Sequence, residues 1–116
     1  MITAPLRPIA AFLSLFFVQL IFQANLYGDT AMITIEIKDH LFFPSRVEIP
    51  AHTKVKLLVI NRDNTAEEFE SYELNREKII PGGAKAVIFI GPLQPGEYPF
   101  FGEFFPKTAQ GKVIAR

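Results

Sequence analysis

From Met32 onward, apolar side chains recur at every second position, and proline or glycine soon cuts each run short. In "MITIEIK" Ile33, Ile35 and Ile37 alternate with Thr34, Glu36 and Lys38. That period of two is the pattern of a half-buried strand, because successive strand side chains point to opposite faces. "RVEI" repeats it briefly before Pro50, and "KVKLLVIN" extends it from Val55 to Ile60. "AKAVIFIG" sets Val87 and Phe89 on one face and Ile88 and Ile90 on the other. "YPFFGE" and "KVIA" close the chain in the same manner, and Glu68 to Leu74 is also compatible with extended backbone. "DHLFFPS", "PAHT", "RDNT", "PGG" and "QPGE" supply the turns, and "NREK" reads as a solvated loop of paired charges. No 3.6-residue period survives after residue 32. About seven short strands in one small domain indicate an all-β sandwich that buries alternate residues between two sheets.

"LQPGEY" refines the topology. A tyrosine that enters a strand just after a Pro-Gly turn predicts a tyrosine corner at Tyr98, its phenol bonded back to the backbone of a Greek-key arch.

Residues 1–28 carry a different pattern. Arg7 is the only charged side chain before Asp29, and "IAAFLSLFFVQLIF" follows it. A positive start and an apolar run predict a secretory signal, which leaves residues 29–116 as the exported domain with its start between Asn25 and Met32. Ala-x-Ala is absent, so an uncleaved N-terminal anchor is the competing expectation, a span needing about 20 apolar residues. Without Arg7 the chain keeps eleven of its 12 basic residues against 12 acidic ones, with no basic run suited to nucleic acid. Cysteine is absent. Disulfide staples, thiolate metal ligands and a cysteine nucleophile are therefore excluded, and the domain must be held by packing.

The stretch "NTAEEFESYEL" concentrates acid groups at Glu67, Glu68, Glu70 and Glu73, with Asp63 just upstream. On an extended backbone Glu68, Glu70 and Tyr72 share one face, while Glu67, Phe69 and Ser71 share the other. Carboxylates two strand residues apart, about 7 Å, form half of a metal site. The other half must come from loops at the same end of the sandwich, and Glu103 of "FFGEFFP" lies in a phenylalanine-rich surround. An isolated carboxylate is costly in such a surround. Carboxylates with one imidazole suit iron or manganese, and copper binds most N/O sites. A solvated acidic edge is the bland alternative. Glu103 could instead pair with Arg76 or Lys107, and His52 in "PAHT" reads as structural, at the opposite end.

Three pieces stand in order: "FFPSRVEIPAHTKVKLLVIN", the acidic segment, and "LQPGEYPFFGEFFPKTAQGKVIA". Together they resemble the cupredoxin family, and most closely the EfeO-type cupredoxin-like domains of bacterial iron-uptake systems, over nearly all of residues 32–116. The resemblance implies a cupredoxin-like Greek-key β-sandwich. It places the copper ligands of the copper-carrying members at about Glu68 for the first His, Gly102 for the Cys, Phe105 for the second His and near Ala109 for the Met. None matches, so blue-copper electron transfer is not implied. The family pattern nominates "DHLFFP", with Asp39 and His40, and "FFGEFFP", with Glu103, as the loops that complete the acidic half-site, so the metal set that the resemblance implies is Glu68, Glu103, His40 and Glu70. What is implied is periplasmic handling of an iron or copper ion beside a membrane iron permease or a periplasmic metal-binding protein. The competing function is a metal-free interaction module docking on such a partner through "PFFGEFFP". A ferroxidase would need an open coordination position and an electron acceptor, and neither is legible. No Ser/His/Asp arrangement or phosphate-cradling loop is present.

Overall fold

The computed structural model describes residues 30–116; the expected signal segment, residues 1–28, lies outside the described residues. Nine strands and no helix make up the described chain: β1 Ala31–Lys38, β2 Leu41–Phe43, β3 Arg46–Ile49, β4 Val55–Asn61, β5 Glu67–Ser71, β6 Arg76–Ile80, β7 Lys85–Ile90, β8 Gly96–Gly102 and β9 Gln110–Ala115. They form two sheets, β2-β1-β4-β7 and β3-β9-β8-β5-β6. Two pairings are parallel, β1 with β4 and β3 with β9; the others are antiparallel.

The expected alternation decides what is inside. Ile35 and Ile37 of β1, Val55, Leu57 and Val59 of β4, and Ile88 and Ile90 of β7 are buried, while Val87 and Phe89 are exposed. The opposing sheet contributes Val47, Ile49, Phe69, Phe100 and Val113. Phe69 and Phe100 stack with ring centroids 5.0 Å apart, and Phe42 meets Phe100 edge-on at 5.0 Å. These offset and T-shaped contacts suit ring quadrupoles and fill a core that has no disulfide. The Tyr98 hydroxyl donates to Gln94 O at 2.7 Å, which is the predicted corner.

Two elements depart from expectation. "NREK" contributes Arg76, Glu77 and Lys78 to β6, an edge strand exposed along all but its last residue. Edge strands tolerate and favour charge because it discourages pairing with other chains, so apolar periodicity does not mark them. "LFF" in "DHLFFPS" forms the short β2, which places Phe42 in the core.

Candidate functional site

One end of the sandwich gathers the 39–40 turn and the loops at 62–66, 81–84 and 102–109. Asn61 organises it. Its buried amide donates to Thr65 O at 2.9 Å and Ile80 O at 3.0 Å, and its Oδ1 accepts from Asp63 N at 3.0 Å. Asp63 is thereby held against the turn, where Asp39 and His40 both adopt positive φ, 54° and 61°. Its carboxylate accepts from Asp39 N at 2.7 Å and His40 N at 3.0 Å. Burial works to raise the Asp63 carboxyl. The two amides, with the charges of His40 and Lys38, outweigh burial and hold it below its ordinary value.

His40 is committed to this turn. Its ring stacks on Phe105 at 3.6 Å, Nδ1 lies 3.5 Å from Asp63 Oδ2, and its carbonyl accepts from the Thr108 hydroxyl at 2.7 Å. His52 sits at the opposite end, its amide bonded to Leu93 O at 2.8 Å.

The acidic segment divides as strand geometry requires. Glu68 and Glu70 lie on the outer face of β5, where the β5–β6 register sets Glu70 directly opposite Glu77. Glu68, Glu70 and Glu77 each offer a carboxylate oxygen within 4.8 Å of the others. Glu103 N donates to Glu68 O at 2.8 Å, so Glu103, just past the end of β8, lies beside β5. Burial raises the Glu70 carboxyl, and the charges of Glu77, Glu68 and Glu103 add to the effect. Among the described residues no ion pair reaches these four glutamates.

Two of the four expected metal residues, Glu68 and Glu70, therefore fall in this group, Glu103 borders it through its backbone, and His40 is tied elsewhere. Glu77 is the member that sequence reasoning missed, hidden in the charged stretch read as a loop. The expected apolar surround of Glu103 is corrected as well. Alternation along β8 sends Phe100 and Gly102 inward, and Glu103 and Phe104 are exposed.

Glu67 is the larger surprise. It is 1% exposed, and its side chain points into the end of the sandwich. Its Oε1 accepts from Glu68 N and from Phe104 N, both at 2.9 Å. Its Oε2 is buried and has no hydrogen-bond partner. Gly102 and Ala109 border it: a Cβ added at Gly102 would overlap Oε2 and come within 2.5 Å of Cδ and 2.7 Å of the Ala109 Cβ. Gly102 N bonds to Ala109 O at 2.8 Å, and Phe105 N to Gly102 O at 3.3 Å. Positions 102, 105 and 109, which the resemblance equates with copper ligands, thus converge. Glu67, and not Glu68, reaches toward them.

Comparison with known proteins gives consistent results. Residues 10–115 match the family model described as a cupredoxin-like domain. The chain is 49% identical over 82 residues to the uncharacterized protein RP394 of Rickettsia prowazekii (strain Madrid E). That match covers 71% of this chain and 66% of the relative, just under two thirds of its length. Among solved structures, the fold is similar to auracyanin A, a "blue" copper protein of Chloroflexus aurantiacus, with a TM-score of 0.65 and 10% identity over 76% of this chain and 100% of that one. It is also similar to the metal-binding domain of the Cu(I)-exporting P-type ATPase CopA of Streptococcus pneumoniae D39, with a TM-score of 0.62 and 16% identity over 73% of this chain and 84% of that one.

Proposed function

We propose, from the premise that the chain belongs to the cupredoxin-like domain family, that it is an exported, periplasmic protein that binds an iron or copper ion through surface carboxylates and serves metal uptake beside an iron permease. The observation that carries this reading is the group formed by Glu68, Glu70 and Glu77, with ligand oxygens within 4.8 Å of one another. Like charges directly opposite across a strand pair are destabilising. A cation between them removes that repulsion and accepts three hard oxygen donors, with water completing its shell on this solvent-facing side. The EfeO-type resemblance supports iron as the cargo. The copper named for auracyanin A and for the CopA domain supports copper.

The residues present do not fit a copper–thiolate centre. The side chains at Gly102, Phe105 and Ala109 bring no ligand atom, and the Glu67 carboxylate occupies the space beside Gly102 and Ala109. Electron transfer of the blue-copper kind is therefore not proposed.

Titration of the full chain with Fe²⁺, Mn²⁺, Cu²⁺ and Zn²⁺ tests the reading. One ion per chain is expected, with affinity falling at least about tenfold in Glu70→Gln and in Glu77→Gln. Binding that survives both substitutions, or no binding in the parent, would sink it. The second reading, a metal-free module docking on a permease or companion binding protein, would then gain. Exposed Phe43 and Phe104 favour it, since apolar surface of this kind marks partner sites.

A further inference from the structure

We infer that the Glu67 carboxylate takes the place of a metal ion in this chain, tying β5 to the 102–109 loop and closing the end of the sandwich to any ion. A metal centre would join loops by bonding one side chain from each. Here a single oxygen does the joining, since Glu67 Oε1 accepts one amide from β5 (Glu68) and one from the loop (Phe104). Both amides lie at ordinary hydrogen-bond distance, so one oxygen fixes the strand and the loop together.

The surroundings match this role and exclude the other. Gly102 cannot carry a Cβ while Glu67 is in place, because the added atom would collide with the carboxylate and with the Ala109 Cβ. A side chain of any kind at 102, a thiolate included, is therefore incompatible with Glu67 as it sits. An ion placed at Oε2 would find one oxygen and the ligand-free borders Gly102 and Ala109. The imidazole of this end is already stacked on Phe105, its Nδ1 beside Asp63.

Glu67 and Gly102 are consequently one unit, and their coupling is the measurable consequence. Denaturation of the full chain is compared among the parent, Glu67→Ala, Gly102→Ala and the double variant, as a double-mutant cycle. Each single substitution is expected to lower the midpoint. The share of the Gly102→Ala loss that comes from the carboxylate should vanish in the Glu67→Ala background, while the share that comes from the Ala109 Cβ remains, so the loss there should be clearly smaller than in the parent. Equal losses in both backgrounds would overturn the inference.

Glu67→Gln keeps an acceptor oxygen for both amides and serves as a second arm if Glu67→Ala does not fold. Titrated with Cu²⁺ and Zn²⁺, this variant should bind as the parent does. A loss of about tenfold or more would make Glu67 a ligand and refute the closed centre. An ion bound by the parent and by Glu67→Gln but lost in Glu70→Gln is the pattern in which the surface site and the closed centre both hold. No ion bound by any chain would remove the surface site and agree with the closed centre.

Discussion

Asp63 shows how much one side chain can organise at this end of the molecule. Two residues with positive φ stand side by side in the 39–40 turn, a conformation unfavourable for side chains other than glycine and only partly relieved for Asp and His. The Asp63 carboxylate offsets that by accepting both turn amides. Asp63→Ala should therefore cost about 1–3 kcal/mol and leave both amides without partners. The sign of its pH dependence follows from its lowered folded-state value. The stabilisation is present above the unfolded value, near 3.8, and is lost as pH falls through the lower folded one. Denaturation of parent and variant from pH 7 down to the acid range should show the two curves converging. The Tyr98 corner was legible because the Pro-Gly turn and the tyrosine are local in sequence. Glu67 was not. Its strand carries charge on both faces, and alternation sorts Glu67, Phe69 and Ser71 from Glu68, Glu70 and Tyr72 without saying which set faces inward. That decision belongs to the opposing sheet, where Phe42 of β2 meets Phe69 edge-on at 6.1 Å, while Tyr72 on the other face is left 73% exposed.

The β5–β6 hairpin carries the acidic face, and its register sets two glutamates against each other. Glu70 opposes Glu77, and burial together with the neighbouring charges raises the Glu70 carboxyl above its ordinary 4.5. A raised carboxyl in the folded state means that folding favours the protonated form. Its stabilising share is present below the unfolded value and is lost as pH rises through the raised one. At neutral pH without an ion, Glu70→Gln should therefore raise the melting temperature of the full chain. The gain should disappear below about pH 4, where both forms are neutral. A Glu70→Gln variant that melts lower than the parent at pH 7 would mean that the carboxylates are held by something other than one another. Most elements were legible because apolar alternation marks interior strands. β6 escaped because an edge strand bearing Arg76, Glu77 and Lys78 has little apolar pattern to show, and Glu77 escaped with it.

The sandwich sets a closed end beside an acidic patch on the outer face of β5 and β6, and metal linkage tells the two apart. An ion that binds only the folded chain stabilises it by about 2.7 kcal/mol at a hundredfold excess over Kd. For a domain of this size each kcal/mol moves Tm by roughly 4–8 °C, so the full chain should melt about 10–20 °C higher with its ion. The shift should shrink as pH falls toward about 4, where protons compete for the carboxylates. Its dependence on residues separates the expected ligand set from the one assembled on the sheet. Glu77→Gln should abolish most of the shift, because its oxygen lies within 4.8 Å of those of Glu68 and Glu70. His40→Ala should lower the melting temperature with and without the ion and leave the shift itself intact, because its ring is committed to Phe105 and Asp63. The Cu²⁺-loaded chain should also lack the intense charge-transfer band of a copper–thiolate bond, there being no cysteine to form it. A shift that disappears in His40→Ala and persists in Glu77→Gln would move the site from the outer face of β5 and β6 to the turn at residues 39–40.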